Sequence, residues 1–160
     1  MKILFVDCDG VVNLDSTPLR HVPELNRYCC GIDKNLLQLL KVIVEKTDCR
    51  IVLTSTWRKK PSMLEYFKKN LEEAGILDHF EGCTLDFYPN NLSVKGRTDE
   101  IDQYLIKSSP EKYAIIDDAN LHDIYYRANV LTMNNFFRIN EKTGITAEDV
   151  EKIVAHLSCT

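Results

Sequence analysis

Long apolar runs are missing from this 160-residue chain, and with them the signatures of several functional classes. No stretch approaches the roughly 20 consecutive apolar residues that cross a bilayer, so no membrane partner is expected. The N-terminal apolar run stops at Asp7, too soon for a secretory signal. A cytoplasmic location with reduced thiols is therefore the expectation for the six cysteines. Cys29 and Cys30 are adjacent and the other four are scattered, so no Cys-x-x-Cys zinc spacing occurs. His21, His79, His122 and His156 form no ligand pair at helical spacing either. Internal repeats, low-complexity tracts and linker-like stretches are also missing, which makes residues 1–160 one expected domain. The formal net charge of −4 argues against an obligate nucleic-acid binder. Lys59, Lys60, Lys68 and Lys69 come nearest to a basic patch and read as a solvated helix face.

What is there is the composition of a globular protein, 44% hydrophobic and 28% charged, and one very informative opening. Ile3 to Val6 is a continuous apolar run, as in a parallel strand covered on both faces, and it ends on Asp7, Asp9 and Gly10. In α/β proteins, chemistry gathers at the carboxyl edge of such strands. Two carboxylates delivered there need neutralising, and a hard divalent cation with oxygen ligands, Mg²⁺, does so while also organising phosphate. Cys8 alternates to the opposite face and reads as core.

Residues 13–32 carry two Pro and little periodicity and read as a loop or flap. Asp33 is the expected N-cap of a helix through Leu36, Leu37, Leu40, Ile43 and Val44. Cys49 to Thr54 is a second strand, ending on Thr54, Ser55 and Thr56. Pro61 opens a helix to about Ala74, stopped by Gly75. A short strand is expected near Cys83–Phe87 and a helix over Thr98–Ile106. Tyr113 to Ile116 is a third apolar strand ending on Asp117-Asp118, and Ala128 to Leu131 a fourth. Thr146 and Asp149 resemble a capping box for a last helix. Strands alternating with helices imply right-handed crossovers and a mostly parallel central sheet in a three-layer α/β/α, Rossmann-like domain. Asp7 and Asp9, Thr54 and Ser55, and Asp117 and Asp118 would then meet at one edge.

In this order these elements resemble the haloacid dehalogenase (HAD) superfamily of phosphotransferases over roughly residues 2–123. Asp7-Cys8-Asp9-Gly10-Val11 looks like its first motif, Ile51-Val52-Leu53-Thr54-Ser55 its second, Lys95 or Arg97 its third, and Ile115-Ile116-Asp117-Asp118 its fourth. Leu53-Thr54-Ser55-Thr56-Trp57-Arg58 with Arg97-Thr98-Asp99-Glu100-Ile101 resembles a small group of stand-alone HAD domains linked to RNA repair systems.

The resemblance implies a Mg²⁺-dependent phosphomonoester hydrolase. Asp7 would attack phosphorus to form an aspartyl-phosphate, and Asp9 would protonate the leaving oxygen and later deprotonate water. Mg²⁺ would be held by the Asp7 carboxylate, the Asp9 carbonyl and Asp117, with Asp118 as ligand or supporting acceptor. Thr54 and the Ser55 N–H would bind the phosphoryl group, with Lys95 or Arg97 neutralising Asp7 and phosphate. The family's usual Lys favours Lys95, and helix register favours Arg97. Arg58 either clamps substrate phosphate or pairs with an acid. Trp57 reads as packing, and Asp123 as metal support or helix surface.

Residues 13–32 are too few for an independent cap, so the site should be open. Open sites in similar families meet macromolecules, here a polynucleotide end or a phosphoprotein. The alternatives are a small-molecule nucleotide phosphatase, a catalytically silent HAD-like scaffold, and a receiver-type signalling module. The last lacks its lone acceptor Asp at the end of a middle strand. Oligomeric state is not legible.

Overall fold

The computed structural model describes residues 1–87, 96–120 and 131–159. Strand β1 (Lys2–Val6) lies at the centre of a five-stranded parallel sheet. β4 (Arg50–Leu53) and then β5 (Phe80–Cys83) lie to one side, β6 (Lys112–Asp117) and β7 (Phe136–Arg138) to the other. The order β5-β4-β1-β6-β7 is doubly wound about β1, and every pairing in it is parallel. The expected α/β architecture is therefore the observed one.

Alternation along β1 sorts its side chains between two cores. Leu4 and Val6 join the larger core with α1 (Lys34–Thr47), α2 (Pro61–Ala74) and α4 (Ala147–Ser158), while Ile3 and Phe5 pack with Ile101 and Leu105 of α3 (Arg97–Ser108). Both faces of the sheet are covered, which explains the uninterrupted apolar run. Cys8 is fully buried in the larger core.

The helix punctuation follows local chemistry. The Asp33 carboxylate accepts from the Asn35 and Leu36 amides, capping α1. Pro61 opens α2, and Gly75 ends it at φ 75°, a left-handed conformation that costs a β-carbon-bearing residue more. Thr146 and Asp149 form the reciprocal box at the start of α4.

Three expectations change. The strand placed near Cys83–Phe87 lies at Phe80–Cys83, where Phe80 packs edge-on against Phe67 of α2 while Leu85 and Phe87 are exposed. Of the strand expected over 128–131, residues 128–130 lie outside the described residues. Leu131 is in no strand, and the neighbour of β6 is Phe136–Arg138. Residues 13–32 are not simply a loop: β2 (Arg20–Val22) and β3 (Arg27–Cys29) form an antiparallel hairpin, turned through Asn26 at φ 48°. Its inner face is tied down by Arg20, which donates to the Ile32 carbonyl at 2.9 Å, and by buried Val22. Among the described residues no helix is long and apolar enough to cross a membrane.

Candidate active site

Register alone brings three strand ends level. Val6 pairs with Leu53 on one side and Ile116 on the other, so Asp7, Thr54 and Asp117 follow side by side. The ladder continues one step further, with Asp7 N–H donating to the Ile116 carbonyl (3.1 Å) and Thr54 N–H to the Val6 carbonyl (2.9 Å). After Asp7 the chain folds back at once, the Cys8 carbonyl accepting from the amides of Val11, Val12 and Asn13. Gly10 sits at φ 73°, and a β-carbon there would lie 2.4 Å from Asp118 Oδ2. Only glycine lets this turn and the fourth-motif acids approach so closely.

Asp7, Asp117 and Asp118 each offer a carboxylate oxygen, and these oxygens lie within 4.8 Å of one another. Asp7 and Asp117 are buried, 4% and 0% exposed. Burial, followed by the charge of Asp7, pushes the pKa of both Asp117 and Asp118 upward. The cluster is thus short of positive charge. Asp117 uses Oδ1 to accept the Ala119 amide at 2.9 Å and Oδ2 to bind Arg97, whereas Asp7 Oδ1 is buried with no hydrogen-bond partner. An unpartnered buried carboxylate oxygen beside two further acids suits a hard divalent cation, so these residues fit Mg²⁺.

Arg97, the first residue of α3, reaches this cluster. Its Nη1 lies 3.1 Å from Asp7 Oδ2 and 2.5 Å from Asp117 Oδ2. Burial works against its charge, but the two carboxylates outweigh that and raise its pKa. Lys95, the other third-motif alternative, and Asp123 lie outside the described residues.

Asp9 is separate from the carboxylate cluster. Its Oδ2 accepts from the Trp57 indole N–H at 3.0 Å and its Oδ1 from the Asn13 side-chain Nδ2 at 3.2 Å. Burial, then the charge of Asp7, raises its pKa, and the Trp57 hydrogen bond opposes this. Such a group is suited to carrying a proton. Reading Trp57 as packing missed this contact, although the residue is indeed 6% exposed and its ring lies tilted against Tyr66, centroids 6.1 Å apart. It is aimed by a 3₁₀ turn, Thr56–Lys59, whose cap is Ser55 Oγ accepting from the Trp57 amide. Thr54 Oγ1 is buried and unpartnered at the same edge, available to donate.

Arg58 takes the structural option. Its guanidinium pairs with Glu100 of α3 at 2.5 Å, with both side chains about 5% exposed or less, and donates to the carbonyls of Thr54, Ser55 and Thr84. It therefore holds the second motif against α3 and has no free edge for the clamp on substrate phosphate. Arg58→Ala should leave Glu100 buried and unpaired and lower unfolding free energy by about 3 kcal/mol. A urea titration checks this, and a change under about 0.5 kcal/mol would contradict the assignment.

Neither curated proteins nor solved structures give a significant match. Residues 3–150, which include all of the acids and cations described above, match the HAD domain in Swiss Army Knife RNA repair proteins. That match covers most of the 160 residues. The chain belongs to the family of HAD domains found in Swiss Army Knife RNA repair proteins.

Proposed function

We propose that this HAD domain is a Mg²⁺-dependent phosphomonoester hydrolase that works through an aspartyl-phosphate on Asp7. The observation that carries the reading is the division of labour among its acids. Asp7, Asp117 and Asp118 converge on one point, while Asp9 is held apart by Trp57 and Asn13.

Asp7, Asp117 and Asp118 would hold the cation, with the Asp9 carbonyl contributing. When bound, Mg²⁺ neutralises charge between the nucleophile and the phosphate, which otherwise repel. Arg97 orients the Asp7 carboxylate through Oδ2, and Oδ1, which has no protein partner, faces the cation in this reading. Attack by Asp7 on phosphorus breaks the ester P–O bond, and Asp9 gives its proton to the departing alkoxide. Asp9, now a base, takes a proton from the water that hydrolyses the acyl phosphate and returns the enzyme to its starting state. Thr54 Oγ1 and the Ser55 N–H are the donors proposed for the phosphoryl oxygens.

Only the short hairpin 20–29 stands between β1 and α1, so the substrate is proposed to be a macromolecule rather than a metabolite enclosed by a cap. Family context favours a polynucleotide end over a phosphoprotein.

The deciding experiment is hydrolysis of p-nitrophenyl phosphate with Mg²⁺, after EDTA, and after Mg²⁺ is restored. Activity should vanish with chelation and return with the ion, and full activity in metal-free buffer would refute the reading. Asp9→Asn should retain phosphoryl transfer from this good leaving group yet slow hydrolysis of the intermediate by about 10²–10⁴-fold, so phosphoenzyme accumulates. Rapid-quench detection of a burst checks it, and a steady-state rate equal to wild type sinks the role of Asp9.

A further inference from the structure

Two clefts flank Asp9, and they have opposite electrostatic character. One, of about 360 Å³, is acidic, lined by Asp15, Asp118 and Glu141 with a single cation, Lys142. The other, of about 250 Å³, runs beneath the 20–29 hairpin and carries two cations, Arg27 and Lys60, with Asp9 the only acid among the described residues that line it. Leu25, Trp57 and Met63 give it an apolar lining. Neither Arg27 nor Lys60 makes an ion pair with a described residue, and Arg27 Nη2 donates to the Met63 sulfur at 3.5 Å.

We infer that the cleft under the hairpin is a leaving-group subsite in which Arg27 and Lys60 bind a second phosphate of the substrate. The inference rests on the proposed phosphatase chemistry, because Asp9 marks the leaving group only if it is the proton donor. Whatever alcohol departs must lie beside Asp9, and an anionic one is repelled by the acidic cleft and drawn into the basic one. The volume is a little below the roughly 300–1,000 Å³ of ligand pockets, which limits it to one nucleoside unit with the rest of a chain outside. Arg offers a planar fork and Lys a point charge, the two usual ways to hold phosphate. Trp57 and Met63 supply apolar surface for a base or ribose. The substrate class is a phosphomonoester of a nucleotide whose own ribose bears another phosphate, as at either end of a polynucleotide. A phosphoserine or phosphothreonine peptide has no obligatory second anion at that distance, so the two cations favour the nucleotide.

The test compares kcat/KM for an adenosine 3′,5′-bisphosphate with those for adenosine 5′- and 3′-monophosphates, and product analysis shows which phosphate leaves and hence which end is served. Wild type should prefer the bisphosphate by about tenfold or more. Arg27→Gln and Lys60→Gln should each cut that ratio several-fold, and the double variant should bring it near one. Lys152→Gln, a charge-matched change at an exposed position of α4, should leave the ratio at its wild-type value. A ratio near one in wild type, a ratio unmoved by the double variant, or a phosphoserine peptide turned over as well as the bisphosphate overturns the inference. Each of those results leaves the phosphatase reading standing provided p-nitrophenyl phosphate is hydrolysed with Mg²⁺. If it is not, the phosphatase reading itself fails.

Discussion

Asp7→Asn should lower kcat by about 10⁴-fold or more while the protein stays folded, the scale of loss seen when an enzyme loses its nucleophile. The amide keeps the shape of the carboxylate, so the β1 edge and its hydrogen bond to the Ile116 carbonyl survive. What disappears is the negative charge of the carboxylate that the proposal assigns both to attack and to the cation. The substitution also removes one of three converging acids, so without cation the variant should melt no lower than wild type. Its stabilisation by Mg²⁺ should shrink, since ligand binding stabilises as RT ln(1 + [L]/Kd) and Kd rises when a ligand is lost. Steady-state kinetics and melting with and without Mg²⁺ check both halves. A variant within tenfold of wild-type turnover would contradict the assignment of Asp7.

Arg97→Met should have the next largest effect, and on two properties at once. Methionine keeps most of the apolar stem, whereas the charge lying 3.1 Å from Asp7 and 2.5 Å from Asp117 is lost. Two buried carboxylates then face each other and Asp118 with no countercharge, which should lower stability by about 3 kcal/mol in metal-free buffer. Mg²⁺ should restore part of that stability. It should not restore rate, because one pre-positioned charge at the phosphoryl group is worth about 10²–10³-fold. Denaturant titrations with and without Mg²⁺ separate these effects from kcat. An Arg97→Met variant of wild-type stability in EDTA would show that the acids are neutralised by another group.

The strand ends that build the site were legible because their neighbours are unambiguous: Ile3–Val6 and Tyr113–Ile116 are apolar runs that stop abruptly at acids. Parallel pairing then aligns those stops without further information. The 20–29 hairpin was not legible, since its strands are three residues each and only Val22 is buried, too little to leave a period. β7 was missed for a similar reason: Phe136-Phe137-Arg138 is short, follows a 3₁₀ turn and has no buried residue, while Ile139 just beyond it is buried. The Trp57–Asp9 contact depends on how a Ser55-capped turn aims a ring across 48 positions of sequence, which residue patterns do not encode. Arg27 and Lys60 were equally hidden. One lies in that hairpin, the other read as a member of a solvated lysine face, and only the fold places them on one cleft.

The central claim is that Asp7 carries the phosphoryl group. The most direct measurement is acid-quench mass spectrometry of the Asp9→Asn protein during turnover of p-nitrophenyl phosphate in Mg²⁺, with the modified residue located by peptide sequencing. The account predicts a phosphorylated peptide containing residues 2–12, modified at Asp7 and absent when EDTA is present. Turnover with no phosphoprotein, or with the phosphoryl group on another residue, would contradict it.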